Sequence, residues 1–290
     1  MPPVLRRLAL ALLALLFLAQ PGPAMAWSWY GHETVAQIAM ANVTPATRAA
    51  VMGLLQKEAL LETPKCSART LERASTWADC VRRDDAFKYS GPWHQQDVDV
   101  CVPFDLTAPC KDGNCVSAQI VKQAQLLKDK SLPERDRLVA LIFLIHFVGD
   151  LHQPLHAADR AADGGGNGVV ASYGIAHGAQ INLHKIWDNY LAERAISTPG
   201  SLVHAYSAAD KARYSAGTVE DWSRESWELA RSAAYEPALG PDYCKQPRKA
   251  HGALSEAQIE ALIPTVREQI VRGGLRLARL LDEAFAEPKG

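Results

Sequence analysis

Apolar residues recur along most of the chain at the three- and four-residue spacing of amphipathic helices. This pattern predicts helices at residues 32–41, 44–59, 68–84, 116–130, 134–151, 180–197, 219–234 and 255–286. Pro45 suits the first turn of the second helix, and Ser255 with Gln258 forms a capping box for the last one. Pro264 is predicted to kink that last helix.

Two segments break the helical pattern. Residues 91–115 are rich in proline, glycine, cysteine and aspartate, and they are predicted to form a cross-linked loop region. Residues 159–168, DRAADGGGNG, form a glycine loop that is followed by a short predicted strand at 169–174. Its glycines lie too close together for a dinucleotide-binding loop, and no strand precedes it. Because no internal repeat or long linker divides the chain, residues 27–290 are predicted to form one all-α domain.

The N-terminal segment has the pattern of a cleaved secretory signal. Arg6 and Arg7 precede the apolar stretch LALALLALLFLA, and the small residues of AMA follow at 24–26. The apolar stretch is too short to span a membrane comfortably. We therefore expect residues 1–26 to be removed, which makes Trp27 the first residue of a secreted or periplasmic protein without a membrane anchor.

The charge of the remaining chain argues against binding of nucleic acid by overall positive charge. Without Arg6 and Arg7, 29 of the 31 basic residues remain against 32 acidic ones, for a formal charge of −3. A protein that binds nucleic acid through charge alone is expected to be basic. If this protein acts on nucleic acid, cations bound locally must supply the positive charge.

An even number of cysteines follows the signal segment, which in a secreted chain indicates disulfide bonds. The six are Cys66, Cys80, Cys101, Cys110, Cys115 and Cys244. Six cysteines allow many pairings, and their positions alone do not choose among them. No two form a C-x-x-C pair, which argues against a cysteine zinc site.

The motif HFVGDLHQPLH ends the most apolar of the predicted helices. His146 and Asp150 are four residues apart, so their side chains lie on one face of a helix. Pro154 bends or ends the helix and lets His156 turn toward a neighbouring point. An imidazole and a carboxylate on a buried helix need a partner, and a divalent metal such as zinc accepts both. The alternative is a hydrogen-bonded polar pair in a helical core.

A second pair, His184 and Asp188, repeats the four-residue spacing, and further histidines and aspartates lie in apolar settings. The candidate ligands are His32, Asp79, His94, His146, Asp150, His156, His184 and Asp188. Zinc takes about four ligands, and a catalytic site leaves one position to water. With one carboxylate bridging, this set could hold two or three ions.

Several motifs occur in an order that resembles the secreted zinc-dependent single-strand nucleases, the type I nuclease and 3′-nucleotidase family. They are WSWYGHETVAQIA, WAD, WH, HFVGDLHQPLH, GGN and NLHKIWD, and they span the chain after the signal. The resemblance implies a helical domain of the phospholipase C and single-strand nuclease type, with a cleft that holds three zinc ions.

The resemblance also assigns ligands to each ion, by position in the motifs. The first ion is expected at Asp79, His94 and His146 with Asp150 beside it, another at His156, His184 and Asp188, and the remaining one at His32, Asp150 and the α-amine and carbonyl of Trp27. Asp150 would bridge two ions. The four other histidines are interpreted as non-ligands: His152, His177, His204 and His251.

Three positions near these motifs concern the substrate. Arg82 fits a cation that the family places near the reacting phosphate; the alternative is an ordinary surface arginine. Asn189 matches an asparagine that recognises the base in some members; the alternative is a surface amide. Gln95 stands where some relatives carry an aromatic ring, so base stacking is expected to be weaker or to come from another ring such as Tyr173.

The resemblance further implies a Cys101–Cys244 disulfide, and Cys110–Cys115 with Cys66–Cys80 complete the set.

The function that the resemblance implies is hydrolysis of single-stranded DNA and RNA to 5′-phosphate products, with 3′-nucleotidase activity, by a monomer whose catalytic residues include Asp79, Arg82 and Asp150. One alternative is a zinc phospholipase C, a family with a related fold whose last ligand is a glutamate where this chain has Asp188. The other is a secreted zinc-binding protein without catalysis.

Overall fold

A computed structural model describes residues 27–287, so the signal segment predicted at 1–26 lies outside the described residues. The described chain is mostly helical, which confirms the predicted class. The helices of its first half are α1 (Trp29–Asn42), α2 (Pro45–Leu55), α3 (Leu71–Val81), α4 (Val116–Lys128) and α5 (Glu134–Leu151). Those of its second half are α6 (Leu183–Lys185), α7 (Ala192–Ser197), α8 (Ala208–Tyr214), α9 (Val219–Leu229), α10 (Glu236–Leu239) and α11 (Glu256–Phe285).

Two π-helical segments interrupt the second half. Ile186–Leu191 joins α6 to α7, and Ala230–Tyr235 joins α9 to α10. The helices predicted at 180–197 and 219–234 are therefore real, but each contains a wider turn that the sequence pattern does not reveal. Short 3₁₀ turns lie at Glu58–Leu61, Lys88–His94, Lys111–Gly113, Pro154–His156 and Tyr243–Lys245.

Side-chain caps fix the starts of several helices. Thr44 accepts a hydrogen bond from the backbone N–H of Thr47, directly before Pro45. The capping box predicted at Ser255 is present, with Gln258 returning the hydrogen bond. From this start α11 continues through Pro264 for 30 residues.

Helix α5 lies at the centre of the domain. Every residue from 140 to 151 is buried, and the helix packs against α1, α3, α4 and α11. A helix that is buried on all sides is expected to be apolar all round. The histidine and aspartate near its C-terminal end therefore lie inside the core, between α1 and α3.

A small parallel sheet supplements the helices. Strand β1 (Val169–Tyr173) pairs with β2 (Ala250–Leu254), in register from Val169 opposite Ala250 to Tyr173 opposite Leu254. The first strand was predicted, but its partner was not, because AHGAL is short and carries no β-branched residue. Helices α8 and α10 were also missed. The sheet contributes only ten residues, so the predicted all-α class stands.

Three disulfides link the described chain, and all three expected pairs are confirmed: Cys66–Cys80, Cys101–Cys244 and Cys110–Cys115. The first ties the loop before α3 to that helix, and the second ties the long loop region to the C-terminal part of the chain. Each bridge contributes about 2–4 kcal/mol to the free energy of unfolding. Among residues 27–287, no helix combines the length and the apolar character that crossing a membrane requires.

Candidate metal centre

Three groups of buried histidines and aspartates lie in the core, and in each group the candidate ligand atoms are within 4.8 Å of one another. The first cluster is Asp79, His94 and His146; the second cluster is His32, His146 and Asp150; the third cluster is His156, His184 and Asp188. None of these side chains belongs to a residue more than 8% exposed. The structure thus brings together all eight histidines and aspartates that the sequence singled out.

His146 and Asp150 occupy one face of α5, as their spacing predicts. The distance from His146 Nε2 to Asp150 Oδ2 is 3.2 Å. The other ring nitrogen of His146, Nδ1, donates to the backbone carbonyl of Ser75 on α3, at 2.7 Å. This hydrogen bond fixes the ring and directs the lone pair of Nε2 toward the cluster.

Asp150 lies between the first two clusters. Its Oδ2 is 3.1 Å from His94 Nδ1, and its Oδ1 is 3.2 Å from His32 Nε2. Burial alone raises the pKa of Asp150, but the surrounding histidines, His146 first, hold that pKa well below its usual range. The carboxylate is therefore ionised and offers one oxygen to each side, which is the arrangement that a bridging ligand requires.

In the first cluster, imidazole nitrogens and carboxylate oxygens that could bind a metal ion lie close together. His94 Nδ1 is 3.0 Å from His146 Nε2, and the two carboxylate oxygens of Asp79 lie 3.9 Å from these nitrogens. Burial lowers the pKa of His94. Burial also acts to lower the pKa of His146, but the charges of Asp150 and Asp79 outweigh it and raise that pKa. Two imidazoles and two carboxylates thus converge where a cation can replace the proton between them.

The second cluster depends on a glycine in α5. The ring of His32 stacks on the ring of His146, with centroids 4.0 Å apart. A Cβ added at Gly149 would lie only 2.6 Å from His32 Nδ1. Burial lowers the pKa of His32, so this ring is neutral at pH 7 and able to bind metal. Gly149 therefore provides the space in which α1 brings His32 against α5.

The third cluster is built on irregular backbone. His184 is the middle residue of the short helix α6, and Asp188 lies in the π-helical segment that follows, with His184 Nε2 3.2 Å from Asp188 Oδ2. His156 closes a 3₁₀ turn, and its Nε2 is 3.7 Å from Asp188 Oδ1. Burial acts to lower the pKa of His156, but Asp188 outweighs it and raises the pKa to about 9. Burial lowers the pKa of His184.

Backbone carbonyls orient both histidines of the third cluster. His156 Nδ1 donates to the carbonyl of His94, and His184 Nδ1 donates to the carbonyl of Gly165, each at 2.7 Å. Gly165 has a φ of +62°, and a Cβ there would lie 2.3 Å from the carbonyl of Leu155. The glycine loop is thus a support for a histidine, which agrees with the prediction that it is no phosphate-binding loop.

The chemistry of these groups fits metal ions. Several buried atoms in the clusters have no hydrogen-bond partner among the described residues: His32 Nδ1 and Nε2, Asp79 Oδ1, His94 Nε2, Asp150 Oδ1, His156 Nε2 and Asp188 Oδ2. Buried polar groups without partners are costly, and converging lone pairs repel one another. A divalent cation removes both costs, and imidazole nitrogens with carboxylate oxygens are a ligand set that zinc accepts.

Trp27 is fully buried at the edge of this centre. The N–H of Ser28 donates to the backbone carbonyl of Asp188 at 2.7 Å, which anchors the start of the described chain beside the third cluster. A Cβ added at Gly31 would lie 2.8 Å from Trp27 Cβ, so this glycine lets α1 fold closely over the tryptophan.

The two expected substrate residues lie at the edge of the centre. Arg82 ends α3 with a largely buried side chain, and its Nη1 is 3.5 Å from Asp79 Oδ1. The side-chain amide of Asn189 donates to the carbonyl of Lys185.

Of the four other histidines, His152 is buried against Arg276 and the rest are exposed, and all lie outside the three clusters.

Sequence reasoning missed several residues that shape the centre. Ser75 and Gly165 act through backbone carbonyls, which leave no signal in a sequence. Gly149 left a weak signal, because a glycine inside a buried helix often marks a close approach. Gln153 lies within the central motif, and its amide hydrogen-bonds to Asp188, but its role was not predicted.

A helical, disulfide-linked domain whose core holds three histidine and aspartate clusters has the features of a metal-dependent hydrolase. The S1/P1 Nuclease family profile matches residues 27–286, nearly the whole described chain. The chain therefore belongs to the S1/P1 nuclease family, whose members are hydrolases that act on phosphodiester bonds.

Known nucleases from plants and fungi resemble the chain along most of their length. Nuclease S1 of Aspergillus oryzae is 31% identical over 281 residues, covering 90% of this chain and 93% of the relative. Endonuclease 4 of Arabidopsis thaliana is 29% identical, covering 92% of each chain. Nuclease P1 of Penicillium citrinum is 28% identical, covering 89% of this chain and 97% of the relative.

Proposed function

We propose that this protein is a zinc-dependent nuclease that hydrolyses phosphodiester bonds of single-stranded DNA and RNA to 5′-phosphate products and removes the phosphate of 3′-nucleotides. The observation that carries the proposal is the carboxylate of Asp150, which faces His32 on one side and His94 and His146 on the other. Membership of the S1/P1 nuclease family supports the same reaction class.

The proposed ligands follow the three clusters. One ion is held by Asp79, His94 and His146 with Asp150 beside it, one by His156, His184 and Asp188, and one by His32, Asp150 and the α-amine and carbonyl oxygen of Trp27. When bound, zinc lowers the pKa of water to about 7 and stabilises the attacking and leaving oxygens of a phosphate ester. The bound ions also supply the positive charge that the chain as a whole lacks.

The surrounding residues have distinct tasks in this proposal. Asp79 and Asp150 would each supply carboxylate oxygens to metal ions, and the carbonyl of Ser75 keeps the Nε2 lone pair of His146 directed at the ligand site. Arg82 donates hydrogen bonds to phosphate oxygens as negative charge develops on them. Asn189 contacts the base of the substrate.

A flexible single strand reaches a buried metal centre more easily than a stacked duplex, since a duplex must first be unpaired. We therefore propose that duplex DNA is cut more slowly than single strands. We also propose that the protein acts outside the cytoplasm as a monomer, after loss of residues 1–26. The three disulfides support a location in an oxidising compartment.

The direct test is incubation of the purified zinc-loaded protein with single-stranded DNA, single-stranded RNA, duplex DNA, 3′-AMP and phosphatidylcholine. Single strands should be cut to 5′-phosphorylated products, and 3′-AMP should release phosphate. Products that carry 3′-phosphates would contradict the proposed direction of cleavage. Hydrolysis of phosphatidylcholine alone would indicate a phospholipase C, and zinc binding without any hydrolysis would indicate a binding protein.

A further inference from the structure

The side chain of Gln153 is fully buried and makes two short hydrogen bonds. Its Oε1 accepts from the backbone N–H of Leu155, and its Nε2 donates to Asp188 Oδ1, each at 2.6 Å. The orientation of the amide is fixed by chemistry, because a backbone N–H can only donate and an ionised carboxylate can only accept. Gln153 therefore presents its NH₂ group to Asp188.

This hydrogen bond makes the two oxygens of Asp188 unequal. Oδ1 is occupied by the amide of Gln153. Oδ2 lies 3.2 Å from His184 Nε2 and is buried without a hydrogen-bond partner among the described residues. Oδ2 is thus the oxygen that accepts no hydrogen bond among the described residues, and it faces the ring of His184, whereas Oδ1 accepts from Gln153 and lies 3.7 Å from His156 Nε2.

The backbone of Gln153 connects two parts of the centre. Its N–H donates to the carbonyl of Asp150 at 3.0 Å, and its carbonyl accepts from the N–H of His156 at 2.9 Å. The residue therefore lies between the end of α5 and the turn that carries His156. Its side chain contacts Asp188, which belongs to the π-helical segment 35 residues further along the chain. One residue links ligand-bearing segments that are far apart in the sequence.

We propose that Gln153 is a positioning residue that selects Oδ2 of Asp188 as the metal-binding oxygen of the third cluster and fixes that oxygen relative to His156. The inference rests on the metal occupancy proposed above. Residues that hydrogen-bond to metal ligands orient them, and their loss costs about 10–100-fold in metal affinity or activity. Gln153 itself does not touch the metal or the substrate.

The test compares Gln153→Leu, which keeps the side-chain volume and removes both hydrogen bonds, with the unmodified protein in a zinc competition titration against a chromogenic chelator. One of the bound zinc ions should be weakened about 10–100-fold, and the others should keep their affinity. Nuclease activity lost at low free zinc should return when free zinc is raised by the same factor. A variant that merely unfolded would not recover in this way.

Gln123→Leu is the matched control, because Gln123 is also buried but its side chain hydrogen-bonds, among residues 27–287, only to Gln119 on α4. It should leave all zinc affinities unchanged. If Gln153→Leu does not fold, Gln153→Met offers an unbranched side chain of similar length. The proposal is overturned if a folded Gln153 variant binds every zinc ion as tightly as the unmodified protein. Failure of the unmodified protein to bind zinc at all would instead overturn the proposed function and this inference with it.

Discussion

The two sides of the metal centre are built in different ways. The first and second clusters take their side chains mainly from long regular helices, α1, α3 and α5. They share His146, and Asp150 of the second cluster also contacts His94 of the first. The third cluster takes its side chains from a 3₁₀ turn, a three-residue helix and a π-helical segment, and it shares no residue with the others.

This difference shows two ways to hold ligands in place. On the helical side, packing of buried helices fixes the positions, and Gly149 allows the rings to approach. In the third cluster, hydrogen bonds fix the positions: the carbonyl of Gly165 orients His184, and the amide of Gln153 orients Asp188. A substitution on the shared carboxylate should therefore affect two ions, whereas one in the third cluster should affect a single ion.

The largest effect is expected from Asp150→Asn. The amide keeps the shape but loses the charge that two clusters share, so bound zinc should fall by two ions per chain. Turnover should fall about 1,000-fold or more, because metal stabilisation of the transition state is worth several kcal/mol and each 1.36 kcal/mol is about tenfold in rate. Asp188→Asn is the control from the third cluster and should lose one ion. Equal zinc content in the two variants would contradict the sharing.

Extension of the N-terminus should remove one ion. With a single extra residue before Trp27, the nitrogen of Trp27 becomes an amide whose lone pair is delocalised, and an amide is a poor ligand. Protein refolded with zinc in this form should hold one zinc ion fewer and lose most of its nuclease activity. Proteolytic removal of the extra residue should restore both, and equal zinc content before and after removal would refute the proposed chelate.

Arg82→Ala should separate catalysis from metal binding. Removal of a group that stabilises charge in the transition state lowers kcat by about 100–1,000-fold, and zinc content should stay unchanged. Arg83 is the exposed neighbour, so Arg83→Ala provides the control and should keep normal turnover. A loss of zinc in Arg82→Ala would mean that the arginine supports Asp79 instead of the substrate.

Substitution of Gly149 or Gly165 by alanine tests whether the close packing around the second and third clusters is needed for stability and metal binding. Gly149→Ala places a Cβ 2.6 Å from a ring nitrogen of His32, and Gly165→Ala places one 2.3 Å from a backbone carbonyl. Each should cost about 1–3 kcal/mol in the free energy of unfolding and weaken one ion. Gly53→Ala meets nothing within 4 Å on α2 and should stabilise the protein by about 0.5–1 kcal/mol. Urea denaturation with zinc titration measures both quantities.

The last prediction concerns pH and involves no substitution. In zinc-free protein the pKa of His156 is about 9, against an ordinary value of 6.5. The folded state then keeps a proton that the unfolded state releases, so the free energy of unfolding should fall as pH rises from 6.5 to 9, by on the order of 1 kcal/mol per pKa unit. Zinc-loaded protein should lack this fall, since its metal ligands are already deprotonated in the folded state. Parallel slopes with and without chelator would contradict metal binding at His156.

The same contrast explains what the sequence could predict. The pair His146 and Asp150 was found because a regular helix repeats its faces every three to four residues. The pair His184 and Asp188 was found by the same spacing and meets at 3.2 Å, but the π-helical turn that carries Asp188 left no signal in the sequence. The carbonyls of Ser75 and Gly165 could not be predicted, because any residue supplies a carbonyl and only the fold decides which one faces a histidine.

In the proposed centre three zinc ions lie together, and two of them share Asp150. The most direct test is a crystal structure of the zinc-loaded protein with anomalous diffraction recorded at the zinc absorption edge. We predict three anomalous peaks, two of them on opposite sides of Asp150 and one between His156, His184 and Asp188. A single peak, or peaks that leave Asp150 without a metal ion, would contradict the account.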